Sequence, residues 1–344
     1  MIWLTWRQFR AQAAAVYAAV AAVAVLLAIT GPRLVDLAKL DGSIFDQLTQ
    51  TDQNLFMVGV VVVAVAPAVI GAFWGAPMVA RELESGTHRL VWNQSVTRTR
   101  WLATKLGVTT SFAAVAVGAL TLAVSWWADP IDGAQSATRG NLPARMTPVT
   151  FAMRGIAPVG YTVFAVVLGV TLGILIKRSL PALALTLAVF AFVQIAMPLW
   201  VRPHLVAPAE KSMTFSEQRV DGIQTNDGST FRVSLRTGER GAWDLSNKTV
   251  DATGKGVALP AWFSDCFPPP PGAGQPDRVQ APPGQRDRLA ACFTRLNAEG
   301  YRQHVVYHPA SHFWRLQWTE TALYLAVSGL LAGICFWWTR RRLS

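Results

Sequence analysis

The sequence predicts an all-α membrane protein: six transmembrane helices, an N-terminal interfacial helix, and a small extracellular α+β domain between helices 5 and 6. Three observations carry this. Apolar residues fall in six long uncharged blocks, basic residues cluster between alternate blocks, and one long polar segment separates the last block from the rest.

Of 344 residues, 52% are hydrophobic and only 15% charged, against about 25% charged in soluble globular domains. The uncharged blocks are Ala11–Pro32, Asn54–Ala80, Leu106–Ala128, Gly155–Ile176, Ser179–Val201 and Thr321–Thr339, from 19 to 27 residues long. A helix of about 20 residues reaches about 30 Å, the thickness of a bilayer's hydrocarbon core. Helices are therefore expected at about 13–31, 55–79, 104–127, 156–176, 180–201 and 320–339.

Orientation follows from the basic residues in short loops. Placing the N-terminus inside puts twelve Lys and Arg on the cytoplasmic side with only two acids, Glu82 and Glu84. The short outer loops hold five basic residues. Both ends, including the tail 340–344, are expected in the cytoplasm of a multi-pass plasma-membrane protein. The net charge of +11 then matches anionic inner-leaflet lipid, not nucleic acid. Trp74, Trp101, Trp126, Trp127, Trp200, Trp337 and Trp338 fall near span ends, where amphipathic rings suit the headgroup zone.

Residues 1–12 read as a short amphipathic helix lying flat on the inner surface, with Trp3 and Trp6 toward the membrane and Arg7 and Arg10 as its charges. No small-x-small site follows the first block convincingly, so it is expected to remain as an uncleaved anchor. Pro67 is expected to kink the second span, because it removes a backbone hydrogen bond and crowds the preceding turn. Pro181 lies in the first turn of the fifth span, where the missing N–H costs nothing. Lys177-Arg178 leave so little chain between spans 4 and 5 that these must form a tight antiparallel hairpin.

Residues 202–319 are polar, of mixed charge, and include the run Pro268–Pro271. Phe231, Val233 and Leu235 alternate with polar residues, as in a strand. Leu289, Cys292, Phe293 and Leu296 recur at helical spacing. Cys266 and Cys292 share this outer segment, where thiols oxidise, and are expected to form a disulfide; Cys335 lies in the last span. His304, His308 and His312 recur every four residues, but Pro309 opposes a helix there, and a strand would space consecutive ones about 13 Å apart, too far to share an ion. They read as surface histidines, and no metal site is expected.

No Gly-x-x-x-x-Gly-Lys-Ser/Thr, His-Glu-x-x-His or Gly-x-Ser-x-Gly occurs. No catalytic residue and no cofactor are expected in this chain. The uncharged blocks leave the interiors of all six spans free of Asp, Glu, Lys, Arg and His. Proton- and ion-coupled carriers usually retain such residues despite a cost of about 2.5–3.5 kcal/mol each. That opposes an ion-coupled secondary carrier. A membrane-anchored sensor or assembly protein acting through its extracellular domain is the other alternative, and six spans exceed what anchoring needs.

The loop after span 2 runs Arg81-Glu-Leu-Glu-Ser-Gly-Thr-His-Arg-Leu-Val-Trp-Asn-Gln-Ser-Val-Thr-Arg98, with Lys105 beyond. It continues the second helix, breaks at Gly86, and passes a short amphipathic piece, Leu90, Val91 and Trp92, before Ser95 or Thr97 caps span 3. Arg81, Glu82, Glu84, Gly86, Thr87, Val96, Arg98 and Lys105 are similar, without a gap, to the cytoplasmic loop of the membrane subunits of ATP-binding cassette (ABC) exporters of the ABC-2 type. Thr97 replaces a serine, and Ser95 stands where a proline is frequent. The outer segment ending in Tyr307–Trp314 resembles an actinobacterial-like subgroup with a large extracellular domain. The resemblance implies a permease subunit that pairs with a second permease subunit, as homodimer or heterodimer, above two copies of an ABC ATPase subunit. ATP and magnesium would be bound in that partner. Arg81, Glu82, Glu84, Gly86, Thr87 and Arg98 would then form the ATPase-coupling loop.

Overall fold

A computed structural model of the chain describes residues 2–39, 44–87, 97–134, 142–225, 231–266 and 285–342. The chain divides into two compact units, residues 1–206 with 311–344, and residues 207–310.

The first unit is helical. Its long elements are α1 (Ile2–Lys39), α2 (Gln50–Ile70), α3 (Ala76–Glu84), α4 (Arg98–Ala134), α5 (Ala157–Ile176), α6 (Ser179–Ala196) and α8 (Phe313–Arg341). A π-helical turn, Gly71–Gly75, joins α2 to α3 without a break, and another, Met197–Val201, extends α6. Six of these helical stretches are long and apolar enough to cross a membrane. In the most apolar stretch of α5, 72% of the residues are buried, against 11% in α1, so α5 is the central helix and α1 a peripheral one. Exposed apolar residues such as Ile29, Leu122, Leu180, Phe192 and Leu330 cover the outside of the bundle, as a lipid-facing surface requires.

Contact with α5 is close because glycines meet there. A Cβ on Gly71 would lie 2.5 Å from Ala165 Cβ, one on Gly169 2.5 Å from Gly71 O, and one on Gly173 2.6 Å from Ala76 O. The spacings Gly71-x-x-x-Gly75 and Gly169-x-x-x-Gly173 thus let two backbones touch, the usual way to gain packing where no hydrophobic drive operates. The π turn begins four residues beyond Pro67, so the irregularity expected from that proline takes this form.

The ends of α5 are held from outside it. Gln317 of α8, fully buried, accepts from the N–H groups of Ile156 (3.0 Å) and Ala157 (2.8 Å) and donates to Phe151 O (3.0 Å). These satisfy N–H groups that a buried helix start would otherwise leave unpaired. At the other end Lys177 takes a left-handed conformation, φ 58°, and closes the tight turn into α6.

Residues 2–39 form one helix, which corrects the expectation of a separate flat helix over 1–12. No Gly or Pro interrupts the Ala-rich stretch before Gly31, so nothing ends the helix at the expected turn. Its apolar face packs on neighbours: Phe9 lies 4.4 Å from Trp74, and Trp6 stacks on Phe112 at 5.1 Å. Trp3 stays exposed with Arg7 over its ring, and Arg10 is exposed. Trp74, Trp101 and Trp127 are core residues, whereas Trp126, Trp200 and Trp337 remain exposed.

The second unit contains five strands and one α-helix among the described residues: β1 (Ala209–Met213), β2 (Val220–Thr225), β3 (Phe231–Leu235), β4 (Trp243–Val250), α7 (Gln285–Ala298) and β5 (Arg302–His308). β5 lies between β1 and β4 in an antiparallel sheet, and β2 pairs with β3 in a hairpin. Val233, Leu235, Phe263, Phe293, Leu296 and Val305 form its core. Buried Gln303 donates to Val233 O (2.8 Å) and to Asn247 Oδ1 (2.6 Å), and Asn247 donates to Leu235 O (2.7 Å), which ties sheet to hairpin. Cys266 and Cys292 are disulfide-bonded, with Cα atoms 6.4 Å apart. The Pro268–Pro271 run lies outside the described residues. His308 is fully buried beside Trp243, which corrects its reading as a surface residue: it ends the central strand, directly opposite Trp243 of β4. Among the described residues no cluster of metal-ligating side chains occurs.

Candidate coupling site at one end of the helix bundle

The ends of α3, α5 and α8 and the starts of α4 and α6 meet at one end of the helical unit. The α-helix continues from Ala76 to Glu84 because no breaker intervenes, and Gly86, at φ 71°, supplies the left-handed residue beyond it. Ser85 and Thr87 share a hydrogen bond of 3.0 Å across that turn. Arg81 is exposed.

Both acids of this segment are engaged. Glu82 pairs with Lys105 of α4 at 2.5 Å, with both side chains largely buried. Lys105 also reaches Met78 O and lies 5.1 Å from the Trp101 ring. Glu84 accepts from the Ser179 N–H (3.1 Å) and Oγ–H (2.9 Å), so it caps α6 from another helix. Thr97 accepts from the Arg100 N–H at 3.3 Å and caps α4. Arg340, near the end of α8, donates to Thr99 at 3.2 Å. Arg98 is the first residue of α4. His88 to Val96, including Leu90, Val91, Trp92 and the alternative cap Ser95, lie outside the described residues.

Beside the Glu82–Lys105 pair a cavity of about 300 Å³ is lined by Phe9, Trp74, Pro77, Arg81, Glu82 and Lys105. Residues of α1, the π turn, α3 and α4 therefore share one wall. The Arg81–Thr87 segment is thus attached to α4 through Lys105 and to α6 through Ser179.

A family model described as ABC-2 membrane transporter related matches residues 13–202. That is more than half of the chain. The chain belongs to the ABC-2 membrane transporter family. No curated protein and no solved structure gives a significant match. The matched ABC-2 region contains α1 from Ala13 onward, α2 through α6, and the whole Arg81–Lys105 stretch. As an ABC-2 permease the chain is a multi-pass membrane transport component.

Away from this end, the permease holds buried charges that the span boundaries had hidden. The helices run past the uncharged blocks, so the buried Asp132, Arg202 and Glu320 fall within the span-forming helices. These charges flank the uncharged blocks and interrupt none of them. Arg202 pairs with Glu320 through Nε–Oε2 at 2.7 Å and Nη2–Oε1 at 3.0 Å, and Tyr161 donates to the same carboxylate at 2.5 Å. Arg154 lies 3.7 Å from Asp132. The readable signal was position: Arg202 and Glu320 directly flank the fifth and sixth apolar blocks.

Proposed function

We propose that this chain is the membrane-spanning permease subunit of an ATP-driven exporter, coupling hydrolysis by a separate ABC ATPase subunit to substrate export. The observation that carries this is the double attachment of the Arg81–Thr87 segment, to α4 through Glu82–Lys105 and to α6 through Glu84–Ser179. A partner pressing on this segment transmits displacement to two helices at once. Two copies of the ATPase, holding ATP and magnesium, would dock at this end, which faces the cytoplasm with both termini. A second permease subunit, identical or not, completes the transmembrane unit. The unit over 207–310 then lies outside the cell, where its disulfide is stable.

Copurification with a stand-alone ABC ATPase encoded beside this chain tests the partnership directly. Charge reversal at both acids, Glu82→Lys with Glu84→Lys, is expected to abolish ATPase stimulation and transport while membrane insertion persists. Unaltered transport in that variant would overturn the coupling role. Transport by the chain alone in liposomes, on a proton or sodium gradient, would overturn the whole reading.

A further inference from the structure

A second cavity, of about 500 Å³, lies at the far end of α4, between that helix, the chain entering α5, and the start of α8. All of it belongs to the helical unit. Its charged lining is Arg145 and Arg154 with Asp129 and Asp132; its apolar lining includes Leu122, Trp126, Ile156 and Trp314.

The floor is unusual in being incompletely bonded. Arg154 is 2% exposed; it donates one bond, from Nη1 to Val124 O at 3.1 Å, while its Nε and Nη2 have no partner. Asp132 Oδ1 likewise has none. Buried groups of this kind are costly unless something completes their bonding. Nearer the opening, Arg145 is held over the Phe313 ring at 4.1 Å, and Asp129 is exposed. Neither has an ion-pair partner among the described residues. The cavity thus offers both signs of charge in one lining.

Its rim is apolar and exposed. Leu122 is 72% exposed, and Trp126 and Trp314 are each 53% exposed; α4 and α8 are both span-forming helices. Indole rings beside charge at a helix end mark the headgroup level of a bilayer. A soluble ion would gain nothing from such a rim, whereas a lipid places its headgroup in the cavity and its chains along Leu122.

We infer that this cavity is a binding site for a membrane lipid with a zwitterionic headgroup, a phosphate beside an ammonium. The phosphate meets Arg154 and Arg145 through charge-assisted hydrogen bonds, and the ammonium meets Asp129. A purely anionic headgroup would face the Asp129 carboxylate without compensation, so the acid supplies discrimination. The site does not depend on the proposed ATPase partnership.

Native mass spectrometry of the purified full-length chain tests this, with phosphatidylethanolamine, phosphatidylglycerol and free phosphoethanolamine as probes. Phosphatidylethanolamine is expected to bind at least about tenfold more tightly than phosphatidylglycerol, with no retention of free phosphoethanolamine. Asp129→Asn is expected to remove the preference by weakening phosphatidylethanolamine and strengthening phosphatidylglycerol, and Arg145→Gln to weaken both lipids. Both substitutions lie off the fully buried floor and leave the fold intact, checked by helical circular dichroism. Equal binding of the two lipids to the unaltered chain would overturn the inference. Wild-type behaviour of both variants, or binding of free phosphoethanolamine as tight as that of the lipid, would also overturn it.

Discussion

Arg202 and Glu320, 118 residues apart, form a bidentate ion pair in which the side chains are 1% and 0% exposed. Arg202 also donates to Pro148 O at 2.8 Å and stacks over Phe151 at 4.4 Å. One charge therefore joins the end of α6, the start of α8 and the chain entering α5. Such a pair recovers its desolvation cost only while every partner is present.

Removing one partner should be far worse than removing both. Glu320→Gln leaves Arg202 buried and unpaired, with an expected loss of about 3–5 kcal/mol. The double variant Arg202→Met with Glu320→Leu should lose less than Glu320→Gln alone. Thermal unfolding in detergent decides this; a double variant worse than the single one would show that the pair itself is strongly stabilising.

Close approach of α5 to the turn after α2 should tolerate no Cβ. In Gly169→Ala the new atom would lie 2.5 Å from Gly71 O and 2.7 Å from Ala76 N, both backbone. An expected cost of about 1–3 kcal/mol follows from overpacking. Gly107→Ala is the control: it sits inside α4 with nothing within 4 Å of the added methyl, so it should gain up to about 1 kcal/mol. Equal melting temperatures for the two variants would refute the contrast.

The disulfide closes a loop with a separation of 26 residues, which stabilises the strand-containing unit by about 3 kcal/mol on chain-entropy grounds. Cys266→Ser with Cys292→Ser should lower that unit's unfolding midpoint and leave the helical signal intact. Finding two reactive thiols in the oxidised, native protein would remove the basis of this prediction.

Acidity should stabilise the same unit through Asp244. Burial, with the nearby Asp221 carboxylate, pushes its carboxyl up to about 6, from about 3.9 in an unfolded chain. Between those values the folded form holds a proton that the unfolded form has lost, so stability falls as pH rises through this window. Asp244→Asn should therefore stabilise slightly at pH 8, by well under about 1 kcal/mol, because the Asp244 side chain is exposed and solvent screens most of the penalty. The gain should shrink at pH 5. A gain of equal size at both pH values would contradict the assignment.

Local pattern made much of the helical unit legible. Runs such as Ser179–Val201 need no partner to declare themselves, because length and lack of charge suffice. Strand β3 and helix α7 were readable from the alternation at Phe231, Val233 and Leu235 and from the helical spacing of Leu289, Cys292 and Phe293. The reading faltered where a boundary depended on a neighbour. α8 begins at Phe313, well before its uncharged block, because Gln317 and Glu320 find buried partners on α5 and α6. α1 does not break near residue 12, because Phe9 and Trp6 pack on other helices.

By itself the amino-acid order established six apolar spans with one polar insertion, since hydrophobic length against bilayer thickness is a local quantity. Tertiary structure alone decided that Glu84 caps α6, that Lys105 answers Glu82, and that Gly71 and Gly169 touch. Those pairings depend on how each helix is rotated and how closely it approaches its neighbours. Rotation and approach come from packing summed over the whole bundle, and no stretch of chain contains that sum.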